Sequence, residues 1–175
     1  MRAVVLAAVA LSLAGCAGGS PLDLTASRGT EDPSRYAELA GATALFDVQA
    51  AQLAVARAQR ADVRAYAQEL LDRNAVRADR LASAVAASGL TAPAAALTGS
   101  QARMLAELDR APAGTFDAVY VRQQLSAQQA AIRVHHDFAL AGDAPLLRPV
   151  AATEVSRAFQ HYQEARRLQR AQAPS

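Results

Sequence analysis

The sequence predicts an all-α fold: an antiparallel four-helix bundle of ferritin-like type, with a short extra helix between the second and third long helices. Three observations predict it. About a quarter of the 175 residues are Ala, and Leu, Arg and Gln are abundant beside it, all good helix formers. β-branched residues are scattered, so no segment competes as a strand. Four stretches of roughly 25 residues carry apolar positions at helical spacing, separated by Gly and Pro. Apolar residues make up 52% of the chain and charged residues 19%, which suffices for one buried core in a single domain.

The elements follow in chain order. Met1 and Arg2 form a positive start, and Ala3 to Leu13 is an unbroken run of apolar and small residues. Eleven residues at about 1.5 Å each fall short of a hydrocarbon core about 30 Å thick, which describes a secretory signal peptide rather than a span. Its end, Leu13-Ala14-Gly15-Cys16, resembles the bacterial lipobox, in which the Cys is diacylated and begins the mature chain. Residues 1–15 are therefore expected as signal peptide and Cys16 as the lipidation site, with the membrane as its partner. Ala17 follows the Cys where an Asp would favour inner-membrane retention, so the expected location is the periplasmic face of the outer membrane. A plain signal peptide with a coincidental Cys is the alternative. Residues 16–31, with Gly18, Gly19, Ser20 and Pro21, have no sustained period and are expected as a flexible tether.

The bundle domain is expected over 32–170. Asp32-Pro33 places a capping carboxylate before a proline in the first turn. The first helix is expected to run to about Arg60, with Gly41 as a weak point. The second carries Val63, Ala67, Leu70, Asn74, Ala78, Leu81 and Val85 on one face and stops at Gly89. Leu90 to Thr98 is a connection, and Ser100 to Arg110 a short amphipathic helix. Thr115 is expected to cap the third long helix, Phe116 to Ala141, whose face reads Val121, Leu125, Gln128, Ile132, His135, Ala139 before Gly142. Asp143 is expected to cap the last helix, and Pro149 to kink or restart it. That helix buries Leu147, Ala151, Glu154, Ala158, His161, Ala165 and Leu168 as far as Arg170, and residues 171–175 are expected as a disordered tail.

Each stripe carries polar residues: Asp47 on the first helix, Asn74 on the second, Gln128 and His135 on the third, Glu154 and His161 on the last. Two readings stand. They form a site in the bundle core, or they fix helix register as buried polar groups do in coiled coils. Spacing argues against a metal. No Asp or Glu has a His three residues later, as a di-iron bundle requires, and no His-x-x-x-His pair occurs. One mononuclear set, His135, His161 and Glu154, remains geometrically open. The expectation is no metal and no cofactor.

Other chemistry is missing from the sequence. It has no Gly-rich phosphate loop and no Gly-x-Ser-x-Gly elbow, and its single Cys is the one in the lipobox. Removal of residues 1–15 takes away Arg2, so the net charge of +2 becomes +1, which implies no nucleic-acid partner. No catalytic constellation is found, so the chain is not expected to be an enzyme.

Several stretches resemble an exported bacterial family called domain of unknown function 4142: Phe46-Asp47-Val48-Gln49, Asp62-Val63-Arg64-Ala65-Tyr66-Ala67-Gln68, Phe116-Asp117-Ala118-Val119-Tyr120, Gly142-Asp143, and His161-Tyr162-Gln163-Glu164-Ala165. Their order and spacing cover Tyr36 to Leu168. The resemblance implies a ferritin-like bundle of the bacterial envelope with no established activity. It also implies a candidate degenerate core site. The family's Asp-His on the second helix matches Arg73-Asn74, its His on the third long helix matches Gln128, and its His on the last helix is kept as His161. The Pro common before that His is Val155. Asn and Gln keep hydrogen bonding but neither ligate strongly nor titrate near neutral pH. The three are expected to meet at one level of the core and to satisfy one another. The functional expectation is a lipid-anchored structural or partner-binding bundle, with an unidentified envelope protein as partner. A ferritin-like metal or redox protein and a binder of small apolar ligands are the alternatives.

Overall fold

The computed structural model describes residues 32–172, so the expected signal peptide, Cys16, the tether and residues 173–175 lie outside the described residues. Five helices follow in order: α1 (Pro33–Arg57), α2 (Ala61–Ala87), α3 (Gly99–Arg110), α4 (Ala113–Ala141) and α5 (Arg148–Arg170). No strand occurs among the described residues. The four long helices form a ring in which α1 borders α2 and α4, and α5 borders α4 and α2. Side-chain pairs give the directions. Tyr36 meets His135 and Asp47 meets Gln128, so α1 and α4 run antiparallel. Tyr66 reaches the His161 carbonyl and Arg77 reaches Glu154, so α2 and α5 do too. The chain crosses from the end of α2 to the start of α4 at the opposite end of the bundle. Residues 88–112, with α3, make this single long crossover, as ferritin-like bundles require.

The helix starts depart from expectation in informative ways. Asp32 caps α1 through the Arg35 N–H at 2.7 Å, as its sequence suggests. The break between α1 and α2 has no local cap. Asp117 of α4 accepts from the backbone N–H groups of Gln59 and Arg60 instead, at 3.0 and 2.9 Å. Gly41 does not weaken α1, which runs through it unbroken. Thr115 is not a cap: α4 begins at Ala113, two residues earlier, and Thr115 lies inside its first turn. Asp143 does not cap α5 either. Residues 145–147 form a turn and the helix starts at Arg148, so Pro149 sits in the first turn, where a missing N–H costs nothing, and produces no kink.

The two glycine stops work differently. Gly89 has φ +72°, the left-handed conformation that ends a helix without a Cβ penalty. Gly142 has φ −62°, and its need is space, because a Cβ there would fall 2.6 Å from the Phe138 ring.

The core divides into two apolar clusters. One holds Phe46, Val63, Leu70, Leu108, Phe116, Tyr120, Val121 and Leu168; the other holds Tyr36, Val85, Phe138 and Leu147, with the Tyr36 and Phe138 rings stacked at 4.0 Å. Alanines fill both, bringing helix backbones close at the expense of apolar area per layer. By length and a mean hydropathy of 1.3 α1 could span a membrane. In the bundle its buried face covers the core, with a carboxylate, Asp47, at its centre.

Candidate functional site

Between the two clusters lies a layer of buried polar side chains from all four long helices. Its centre is Arg77 of α2, which the sequence analysis did not single out. The guanidinium donates from Nε to Glu154 Oε2 at 2.9 Å and from Nη1 to Asp47 Oδ2 at 3.1 Å. Gln128 donates to Asp47 Oδ1 at 3.1 Å and to Gln124 Oε1 at 3.3 Å. Arg157 donates to Glu154 Oε1 at 2.7 Å from the rim. Asp47 is 1% exposed and Gln124 is fully buried. Two carboxylates thus face two guanidiniums, and the layer is neutral as a whole.

The electrostatics follow from burial. Desolvation pushes the Asp47 carboxyl up against the pull of Arg77 and Gln128. Burial opposes the Arg77 charge, yet Asp47 and Glu154 together hold its pKa above the ordinary value. Such a group stays a cation at every accessible pH. In this arrangement both carboxylates are paired with guanidiniums that never release a proton.

The two buried histidines flank this layer. His135 shares a hydrogen bond of 3.1 Å through Nδ1 with the Tyr36 hydroxyl. Burial, with the Arg77 charge nearby, lowers its pKa from 6.5 to about 3. His161 packs edge-on to Tyr66, and burial, then Arg77, Arg73 and Arg157, lowers its pKa to about 4. Both imidazoles are neutral at physiological pH, and the Nε2 of each is buried without a hydrogen-bond partner.

The expected trio behaves differently from its sequence reading. Gln128 and His161 are buried, but Asn74 is only half-buried. No hydrogen bond joins any two of them. Gln128 is taken by Asp47, and Asn74 faces a surface groove, because α2 is rotated so that Arg77 rather than Asn74 points to the bundle axis. The mononuclear set does not assemble either. Glu154 is held by Arg77 and Arg157, His135 is held by Tyr36, and among the described residues no group of three His, Cys, Asp or Glu side chains is placed to hold a metal ion. Two signals could have found Arg77. It falls seven residues after Leu70 and fourteen after Val63, on the same helical line, and two carboxylates on core-facing stripes require a cation between them.

Outside the core, a groove of about 360 Å³ lies along the α1–α2 seam under residues 92–95. Four large apolar side chains stand more than half exposed, two of them, Leu140 and Leu146, where α4 turns into α5. That turn lies at the end of the bundle where α1 begins, since Tyr36 stacks on Phe138.

No curated protein matches the chain. Among solved structures, a DUF305 fragment from Deinococcus radiodurans superposes with a TM-score of 0.69 over 79% of this chain and 95% of that one, at 14% identity. That likeness concerns the fold alone. The model of a domain of unknown function, DUF4142, matches residues 20–168, and with most of its length covered the chain belongs to the DUF4142 family.

Proposed function

We propose that the protein is a lipid-anchored envelope protein that works by holding a partner on its surface, with the bundle core as scaffold and not as a reaction site. The carrying observation is the closed layer of Asp47, Arg77, Glu154 and Gln128, in which both carboxylates are committed to guanidiniums. A general acid or base needs a titratable group poised near the working pH, and the buried histidines are held far below it. The anchoring half of the reading rests on Leu13-Ala14-Gly15-Cys16. The exposed Leu140 and Leu146, at the end where the tether joins α1, suit that end to a bilayer surface.

Two measurements test this. Metabolic palmitate labelling should mark the wild type and disappear in Cys16→Ala; label that persists in the variant removes the anchor. Elemental analysis of the processed protein should show no stoichiometric iron, zinc or manganese. About one ion per chain, lost in His161→Ala, would establish the ferritin-like metal reading in its place.

A further inference from the structure

The two ends of the bundle differ in what they expose. Val76 and Phe159 stand out singly on helix sides, whereas Leu140, 65% exposed, and Leu146, 56% exposed, share the corner where α4 turns into α5. Ala141, Pro145 and Pro149 are exposed around them, so this turn presents an apolar tip where turns are ordinarily polar. The opposite end, where α1 meets α2 and α3 meets α4, exposes Gln59, Asp109 and Arg110, and among the described residues no large apolar side chain. The last carbonyls of α4 are also provided for. The Gly142 N–H donates to the Phe138 carbonyl at 2.8 Å, and the Arg148 guanidinium donates to the Ala139 and Leu140 carbonyls, each at 3.0 Å. A helix end whose carbonyls are bonded within the chain leaves water at little cost.

We propose that the α4–α5 corner rests on the lipid bilayer with Leu140 and Leu146 in its interfacial layer, so that the bundle stands upright with α3 and the α1–α2 corner outermost. This orientation rests on the lipid-anchored reading. The chain itself selects the occupant. Helix α1 begins at this same end, where Tyr36 stacks on Phe138, and only residues 17–31 separate it from Cys16. Those residues reach at most about 50 Å in any conformation, so an acylated Cys16 keeps the apolar tip within reach of the membrane. Under that confinement two leucines hold a contact that a free bundle would not. The exposed charges beside the tip are mixed, Asp32, Asp137 and Asp143 with Arg35 and Arg148, so the contact is apolar and not an attraction to anionic lipid. Helix α4 has 29 residues, which puts the outward end about 40 Å above the bilayer.

The test uses the processed protein in nanodiscs that carry one chain each and contain a phosphatidylethanolamine with a diazirine high in its acyl chain. Mass spectrometry maps the adducts and reads the acyl mass on Cys16. Label is expected within 140–149 and not within 57–62 or 107–115. Leu140→Ser combined with Leu146→Ser should lower that label several-fold with the circular dichroism spectrum intact, because both side chains are exposed. Exchanging phosphatidylethanolamine for phosphatidylglycerol should leave it unchanged. Cys16 without acyl mass would overturn the anchored reading and this orientation with it. Acylated Cys16 with 140–149 unlabelled, or a double variant labelled like the wild type, would overturn the orientation alone. So would label that disappears when discs carry two chains, which gives the corner to a second copy, and label that requires phosphatidylglycerol, which makes the contact electrostatic.

Discussion

At the residue scale the protein turns on Arg77. Removing it leaves Asp47 as a buried carboxylate without a counter-charge at the centre of the bundle, while Glu154 keeps only Arg157 at the rim. Arg77→Met should therefore cost about 3–5 kcal/mol in urea unfolding. The triple replacement Asp47→Leu, Arg77→Met and Glu154→Leu should be close to neutral or stabilising by about 1–4 kcal/mol, because it removes the desolvation cost with the charges. A triple variant as unstable as Arg77→Met would show that the layer does more than balance charge. The histidines predict the acid limb. Both are neutral in the fold, while in the unfolded chain each takes up a proton near pH 6.5. Their contribution is thus complete above about pH 6.5 and is lost as pH falls toward about 4 for His161 and about 3 for His135. Asp47 acts in the opposite sense, since its raised pKa favours the folded state once acid protonates it. Stability measured against pH should drop by a few kcal/mol between pH 6.5 and 4, and the double variant His135→Gln, His161→Gln should flatten that slope.

At the element scale, α1 offers two opposed substitutions. Asp32→Ala removes the carboxylate that accepts from the Arg35 N–H and should cost about 1 kcal/mol. Gly41→Ala should stabilise by about 0.5–1 kcal/mol: the residue is helical, and its new Cβ meets only ordinary contact at 3.6 Å. Thermal unfolding of the two variants checks both signs. The helix α3 is held differently. Its Thr98–Gln101 capping box starts it, and Leu108 is its one fully buried residue. Its far end is pinned by Arg57, which donates to the carbonyls of Asp109 and Ala111 at 2.5 and 2.6 Å and lies 4.7 Å over the Phe116 ring.

For the whole molecule, that attachment makes the crossover the least secured part of the described structure. The helices α4 and α5 share a long buried seam, whereas α3 fully buries only Leu108 and is otherwise held by the Arg57 clamp and by Gln123 and Arg122 of α4, which reach the Met104 carbonyl and the Glu107 carboxylate. Hydrogen exchange should therefore open the amides of 90–110 well before those of 120–135 and 151–165. Arg57→Ala should speed exchange at 99–112 by several-fold and leave α5 unchanged. If α3 exchanged at the rate of α5, the crossover would belong to the same cooperative unit as the bundle.

What the sequence by itself determined was periodic and local. Helical spacing placed all five helices to within a few residues, and the stripe Leu147 to Leu168 is buried at every position named for it, because α5 presents one face to the core along its whole length. The Asp32 cap and the Gly89 stop were legible for the same reason, each being made within four residues of chain. Only the tertiary structure decided the rest. Asp117 caps a helix that begins 56 residues earlier in the chain, so its role is visible only once α4 lies beside the α1–α2 corner. The rotation of α2 decided that Arg77 enters the core and Asn74 turns to the groove. Both choices satisfy the same apolar spacing, and what separates them is the charge of Asp47 and Glu154 arriving from α1 and α5. Periodicity selects a face to within one turn of helix, whereas neutrality of a buried layer depends on side chains from several helices at once.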